Sequence, residues 1–172
     1  LTLPEQILLS PYFKFVEEQV SIPWQRICNA AALHDFNSPT LALVEQVLPA
    51  SQDIAQTVYQ RTEQLHSDHF SRRGGLDDPG IKASTIRDLE MFQGYLWLCA
   101  LEGNMTSIEQ ELLPLCLLVF PSVDVSWKLA EKMLQLLVDE LNARVESDQL
   151  SLLLPYTQRL LELFSDLEQK AL

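Results

Sequence analysis

His66 and His69 are the residues best suited to bind a metal ion, because they stand three positions apart with Asp68 between them. Asp77 and Asp78 follow in the next loop, and imidazole and carboxylate groups are both zinc ligands. No residue supplies a convincing third or fourth ligand at the spacing of a metal motif. A polar helix end that runs into a loop accounts for the same residues, so we predict no metal site.

The candidate nucleophiles are Cys28, Cys99 and Cys116, since covalent catalysis needs a thiol or hydroxyl beside a base. Each cysteine lies within an apolar run, as a buried reduced thiol does, which favours a reducing compartment. The sequence has no glycine-flanked serine and no glycine-rich phosphate loop. Asp88 and Glu90 point about 200° apart on a helix and cannot act as an acid–base pair. We therefore predict that the chain is not an enzyme.

Arg87 and Asp88 form the third candidate site, one turn into the most amphipathic helix and directly after a glycine-rich loop. One interpretation is an ion pair at the start of the helix. The other is a polar clamp at the mouth of an apolar groove, in which arginine binds a carboxylate and aspartate accepts from N–H donors.

Prolines, glycines and apolar periodicity divide the chain into helices. We predict a first helix or helical hairpin broken at Pro11, then further helices with a long loop over 67–80 and a capping box from Thr106 to Glu109. His34 is expected to cap the end of the second helix. The predicted ranges are 4–20, 23–37, 40–47, 51–66, 81–101, 112–120, 125–145 and 148–167. About seven or eight unequal helices without a strand pattern indicate an all-α, globin-like packing.

The 172 residues fit a single domain, and 47% of them are hydrophobic. Twelve basic residues stand against 24 acidic ones, a net charge of -12, and the best basic cluster is Arg72-Arg73. This balance argues against nucleic acid as a partner. No apolar run is long enough to span a membrane, and no signal peptide is visible. We expect the chain to act by binding a protein partner.

The run Thr85–Glu90, an aromatic-rich helix after it, and the run Leu101–Gln110 together resemble the phycobiliproteins, allophycocyanin in particular. Those chains read Cys-Leu-Arg-Asp-Leu-Asp, then a helix, then Ala-Gly-Asp-Val-Thr-Pro-Ile-Glu-Glu, in the same register. The Gly74-Gly75 loop resembles their Pro-Gly-Gly-Asn segment, and Val123–Leu137 resembles the penultimate helix of phycocyanin-type alpha subunits. The similarity covers about residues 50–140.

The resemblance implies a globin-like fold with an N-terminal helical extension that pairs subunits. Residues 1–172 would then be one domain, with a pairing segment over 1–36 and a globin-like core over 37–172. The candidate partner-binding side chains are aromatic or apolar, because such anchors dominate interface energetics; they are Phe13, Phe15, Trp24 and Ile27. The partner would be a second copy, giving a homodimer, or a phycobiliprotein or other antenna or photosystem-associated protein, giving a heterodimer.

The resemblance also maps a pigment site onto this chain. Members of the family attach a linear tetrapyrrole to a cysteine, and the matching position here is Thr85, which cannot form the thioether. Arg87 matches the arginine that meets a bilin propionate, and Asp88 matches the aspartate that accepts from the pyrrole N–H groups. Met91 and Phe92 replace two tyrosines beside the pocket. We expect no cofactor, since these two side chains fill space; a non-covalent bilin is the alternative.

The function implied by the resemblance is that of an adaptor or regulator of the phycobilisome or photosynthetic apparatus, in assembly, turnover or stress response. It would act in the cytoplasm, at the thylakoid surface. A non-covalent tetrapyrrole carrier or sensor is one alternative. A globin-like signalling domain without haem is another, because the core helices offer no well-placed proximal histidine.

Overall fold

The computed structural model describes residues 23–71, 74–121 and 125–171, and most of these residues are helical. The all-α prediction is confirmed. Residues 23–32 form helix α1. The following helices are α2 (Pro39–Val47), α3 (Ser51–Leu65), α4 (Pro79–Glu102), α5 (Leu113–Val119), α6 (Trp127–Ala143) and α7 (Ser147–Ala171). No helix in these described ranges is both long enough and apolar enough to cross a membrane.

Two very short strands lie in the loop that was expected to be irregular. Phe70–Ser71 pairs antiparallel with Gly74–Gly75. The backbone angle φ of Gly74 is 123°, a positive value that favours glycine. This small hairpin lies between α3 and α4 and leads into the start of α4.

Helix α4 begins at Pro79, two residues before the predicted start, because Asp78 and Pro79 together make a strong helix start. The Asp78 carboxylate accepts from the backbone N–H groups of Gly80, at 2.8 Å, and Ile81, at 3.1 Å. Pro79 has no N–H to lose at the first helical position. The helix ends at Gly103, whose φ of 76 is left-handed.

The predicted capping box from Thr106 to Glu109 is wrong. The N–H of Glu109 donates to the carbonyl of Met105 at 2.9 Å, so Thr106 already lies inside the helical turn. The side chain of Asn104 takes the capping position, accepting from the N–H of Thr106 at 3.1 Å. A π-helical turn over Ile108–Leu112 then leads into α5.

Helix α4 lies at the centre of the core, in contact with α2, α3 and α7. Trp97 and Leu96 on this helix are fully buried. Arg144, at the end of α6, helps to join this helix to α3 through its ion pair with Asp53. Its guanidinium lies 2.9 Å from the buried Glu140 carboxylate on α6 and 2.7 Å from Asp53 on α3.

Helix α1 belongs to the same core. Trp24 and Ile27 are 3% and 0% exposed, and Ile27 Cδ1 would lie 3.9 Å from a Cβ added at Gly94 on α4. The assignment of these two side chains to an exposed partner-binding surface is therefore corrected, because the chain's own helices cover them. Phe13 and Phe15 lie outside the described residues.

A second, smaller cluster connects α3 to the loop before α4. It contains Tyr59, Leu76 and Leu129, all buried. The Tyr59 hydroxyl donates a hydrogen bond to the backbone carbonyl of Leu76. Since α4 begins only three residues later, this contact helps to fix the position of its first turns.

Candidate functional site

The five residues mapped to a pigment site lie in the middle part of α4, between Thr85 and Phe92. Thr85, Arg87 and Asp88 are half-buried, whereas Met91 and Phe92 are buried. The Arg87 guanidinium donates to the Asp88 carboxylate at 3.3 Å. The ion pair near the start of the helix, one of the two interpretations of these residues, is therefore present.

Thr85, Asp88 and Phe92 lie on one face of α4, because residues three, four and seven apart share a helix face. The Phe92 side chain on this face packs against Phe164 of α7. Burial raises the pKa of the Cys116 thiol on α5, and the nearby Asp88 carboxylate raises it further. Asp88 thus stands at the edge of an apolar region with part of its side chain, 39%, still in solvent.

An aromatic cluster of four rings covers the same face one turn further along. Its members are Phe92, Phe120, Trp127 and Phe164. The ring centroids of Phe92 and Phe164 are 6.4 Å apart, and those of Trp127 and Phe164 are 5.3 Å apart. Phe120 lies 5.1 Å from Trp127. These separations are those of packed rings, so the space beside Phe92 is occupied by side chains.

Two of the three thiols are held in their protonated form by burial. Burial raises the pKa of Cys99 to about 11, and it also raises the pKa of Cys116. The thiolate is the nucleophilic form, so neither group is a reactive nucleophile at neutral pH. Cys28 is half-buried on α1.

The histidines that suggested a metal site lie in the turn after α3. The N–H of His69 donates to the carbonyl of His66 at 2.9 Å, which closes that turn. Within the part of the chain that the structure describes, no three His, Cys, Asp or Glu side chains converge as metal ligands would.

No protein-family model matches this chain, and no curated protein matches it either. The resemblance to phycobiliproteins therefore depends on the sequence patterns within about residues 50–140.

An open cavity of about 740 Å³ lies at the other end of α4, where sequence reasoning did not place a site. Its walls come from the α1–α2 turn and from the last turn of α4 and the residues after it. The lining residues are Ala30, Leu33, His34, Asp35, Asn37, Ser38, Pro39, Leu101, Glu102 and Asn104. The sequence signal for this site is the presence of Leu33 and Phe36 in an otherwise polar turn; they are 89% and 97% exposed.

His34 fixes one wall of this cavity. Its Nε2 lies 2.7 Å from the carbonyl oxygen of Leu101, so this nitrogen is the donor, and its Nδ1 lies 2.9 Å from the Ser38 hydroxyl. The sequence predicts that His34 caps its own helix, α1. Instead it satisfies a carbonyl in the last turn of α4, one of the groups that a helix leaves without an internal partner.

Proposed function

We propose that this chain is a non-catalytic, protein-binding adaptor or regulator of the phycobiliprotein kind that carries no covalent bilin. Its setting would be the phycobilisome or the photosynthetic apparatus, in assembly, turnover or stress response. The observation that carries the proposal is the aromatic cluster around Phe92. It fills the space beside a helix face whose anchor position, Thr85, has a hydroxyl in place of a thiol.

The packing around Phe92 supports the pigment-free form of the proposal. A linear tetrapyrrole is a large, flat molecule that needs an open cleft along its binding residues. Phe92 is 4% exposed and Met91 is 6% exposed, so neither lines an open cleft. Opening one would require the cluster to separate, and displacing packed aromatic side chains costs several kcal/mol, roughly 3–5 by analogy with their deletion.

The chemistry of the thiols supports a binding role over a catalytic one. Cys99 and Cys116 are buried with raised pKa values, and Arg87 is paired with Asp88.

A globin-like arrangement of the helices is part of the proposal. So are a homodimer or a heterodimer with a phycobiliprotein, contacts through Phe13 and Phe15, and a location at the cytoplasmic side of the thylakoid surface.

The first experiment asks whether the full chain binds pigment. Biliverdin and phycocyanobilin are titrated into the protein while the visible absorption spectrum is recorded. We expect no spectral shift, and we expect Thr85→Cys to gain no covalent pigment, because the added thiol does not empty the space filled by Phe92. A further variant, Asp88→Asn, removes the carboxylate that would accept from the pyrrole N–H groups. Asp166→Asn, on the exposed side of α7, is its matched control for the loss of one charge.

The second experiment asks whether the chain binds a phycobiliprotein. Purified chain and purified allophycocyanin are mixed, and their co-elution is followed by size-exclusion chromatography with light scattering. We expect a dimer or a mixed complex. A monomer at every concentration that retains no antenna protein would contradict the adaptor function.

One observation favours a non-covalent tetrapyrrole carrier as the second candidate. The side chains of Arg87 and Asp88 are 21% and 39% exposed, so both are accessible to a ligand at the surface. A bilin spectrum that shifts with the wild-type chain and Asp166→Asn, but not with Asp88→Asn, would establish this carrier function instead.

A further inference from the structure

We propose that the open cavity at the end of α4 binds an arginine- or lysine-bearing segment of a partner protein, with an apolar side chain of that segment packed on Leu33 and Phe36. The proposal rests on the proposed adaptor function and adds to it the chemistry of the partner. Its basis is the combination of exposed apolar side chains, negative charge and a fixed wall in one place.

The apolar component is the turn between α1 and α2. Leu33 and Phe36 are 89% and 97% exposed, more than Leu118 at 73% or Leu65 at 65%. Leu33 lines the cavity, and Phe36 stands in the chain between the lining residues Asp35 and Asn37. Two such side chains form a small apolar surface that water covers only at a cost. Aromatic and aliphatic anchors of this kind supply most of the energy of protein–protein contacts.

The electrostatic component favours a cation. Among the residues that the structure describes, the lining of the cavity includes the carboxylates of Asp35 and Glu102 and no lysine or arginine. The end of α4 also contributes, because the C-terminus of a helix carries a partial negative charge. Arg26 on α1 offsets part of the charge of Glu102, because its guanidinium, bound to Glu111 at 2.6 Å and 2.9 Å, also donates at 2.8 Å to the Ser107 hydroxyl that donates to Glu102. The remaining negative charge comes from Asp35 and the end of α4.

Charge selects among the possible occupants. A second copy of this chain would bring its own net charge of -12 to an acidic site. The chain's own residues 1–22 carry Glu5, Glu17 and Glu18 against the single Lys14, so they are acidic as well. A basic segment of another protein is the occupant whose charge complements the cavity.

The cavity is also held open before a partner arrives. His34 joins the α1–α2 turn to Leu101 on α4 at 2.7 Å and to Ser38 at 2.9 Å. The Ser38 hydroxyl in turn caps α2 by accepting from Leu41 N at 3.3 Å. A wall fixed in this way loses little conformational entropy on binding, which favours affinity.

The test uses the full chain and a phage-displayed library of random 12-residue peptides. Peptides selected on the wild-type chain are synthesised, and their dissociation constants are measured by calorimetry at 0.05 M and 0.5 M salt. We expect sequences with Arg or Lys beside an aromatic or aliphatic residue. Their binding should weaken at high salt, because exposed charge pairs are screened.

Two variants, each with a control, locate the binding. Neutralising both carboxylates with Asp35→Asn and Glu102→Gln should weaken binding about tenfold at low salt, and Phe36→Ala should weaken it by a similar factor. Asp166→Asn and Leu118→Ala remove a charge and an exposed leucine elsewhere, and they should leave binding unchanged.

Each other outcome overturns the proposal. No enriched peptide, acidic or uncharged peptides, or binding that the cavity variants do not change would show that no basic segment binds there. A dimer of the chain that dissociates with Phe36→Asp would show that a second copy is the occupant. Tighter peptide binding after deletion of residues 1–22 would assign the cavity to that segment. None of these results would contradict co-elution with a phycobiliprotein, so the adaptor function is tested separately.

Discussion

Replacing Tyr59 with phenylalanine should destabilise the chain at neutral pH and stop doing so in alkali. Tyr59 is 0% exposed, and its hydroxyl donates to the carbonyl of Leu76 in the loop before α4. Tyr59→Phe removes the donor and leaves a buried carbonyl without this hydrogen bond. We expect a loss of about 1–2 kcal/mol in the free energy of unfolding at pH 7.

The pH dependence follows from the pKa of the same hydroxyl. Burial raises the pKa of Tyr59 to about 12, and the carboxylates of Glu63, Asp77 and Asp78 add to the effect. In the unfolded chain a tyrosine ionises near pH 10. The contribution of Tyr59 is therefore complete below about pH 10 and is lost as pH rises towards 12. The loss is about 1.4 kcal/mol at pH 11, so the two stability curves should converge near that pH.

The measurement is urea unfolding followed by circular dichroism at 222 nm, at steps from pH 7 to pH 11. Tyr156→Phe, on the partly exposed side of α7, is the matched control for removing one tyrosine hydroxyl. The other ionising groups are common to wild type and variant and cancel in the difference. A gap below about 0.5 kcal/mol at pH 7, or a gap that stays constant up to pH 11, would refute the reasoning.

Two further substitutions test the packing and the end of α4. Phe92→Ala should lower the free energy of unfolding by about 3–5 kcal/mol, because it removes a buried ring in contact with Phe164; a loss below about 1 kcal/mol in urea unfolding would mean that the aromatic cluster is not closely packed. Gly103→Ala should cost about 1 kcal/mol through backbone strain alone, since φ is 76 and no atom lies within 4 Å of the added Cβ. A thermal melt should show a decrease of roughly 2–4 °C, and Gly103→Asn should lose less than Gly103→Ala.

Local signals were enough to predict most helices of the described chain. Ser38 and Pro39 start α2 within one residue of the predicted position, and Gly103 follows the last residue of α4. Asp78 and Pro79 are an equally strong signal for the start of a helix, but the glycines around them favoured the prediction of a loop. The Arg87–Asp88 ion pair could also be predicted from the sequence, because its two residues are adjacent in the chain.

The rest depends on contacts between residues far apart in the chain. The sequence indicated a partner-binding surface at Trp24 and Ile27, because the pattern of an amphipathic helix does not show which residues cover its apolar face. His34 bonds to Leu101, 67 residues away, so local capping rules could not predict its partner. The cavity beside it forms only when the α1–α2 turn meets the end of α4.

The π-helical turn over Ile108–Leu112 has a consequence for how this part of the chain tolerates change. The N–H of Leu113 reaches back five residues, to the carbonyl of Ile108, so the turn holds one residue more than an α-helix would. Each residue of an α-helix turns the chain by about 100°. Deleting the exposed Gln110 would place Leu113 four positions after Ile108, so the same hydrogen bond would become an ordinary α-helical one and α5 would keep its rotation, with Cys116 in the core. In an uninterrupted α-helix, by contrast, a deletion would rotate everything after it by that angle. This segment should therefore tolerate the loss of one residue better than the other helices.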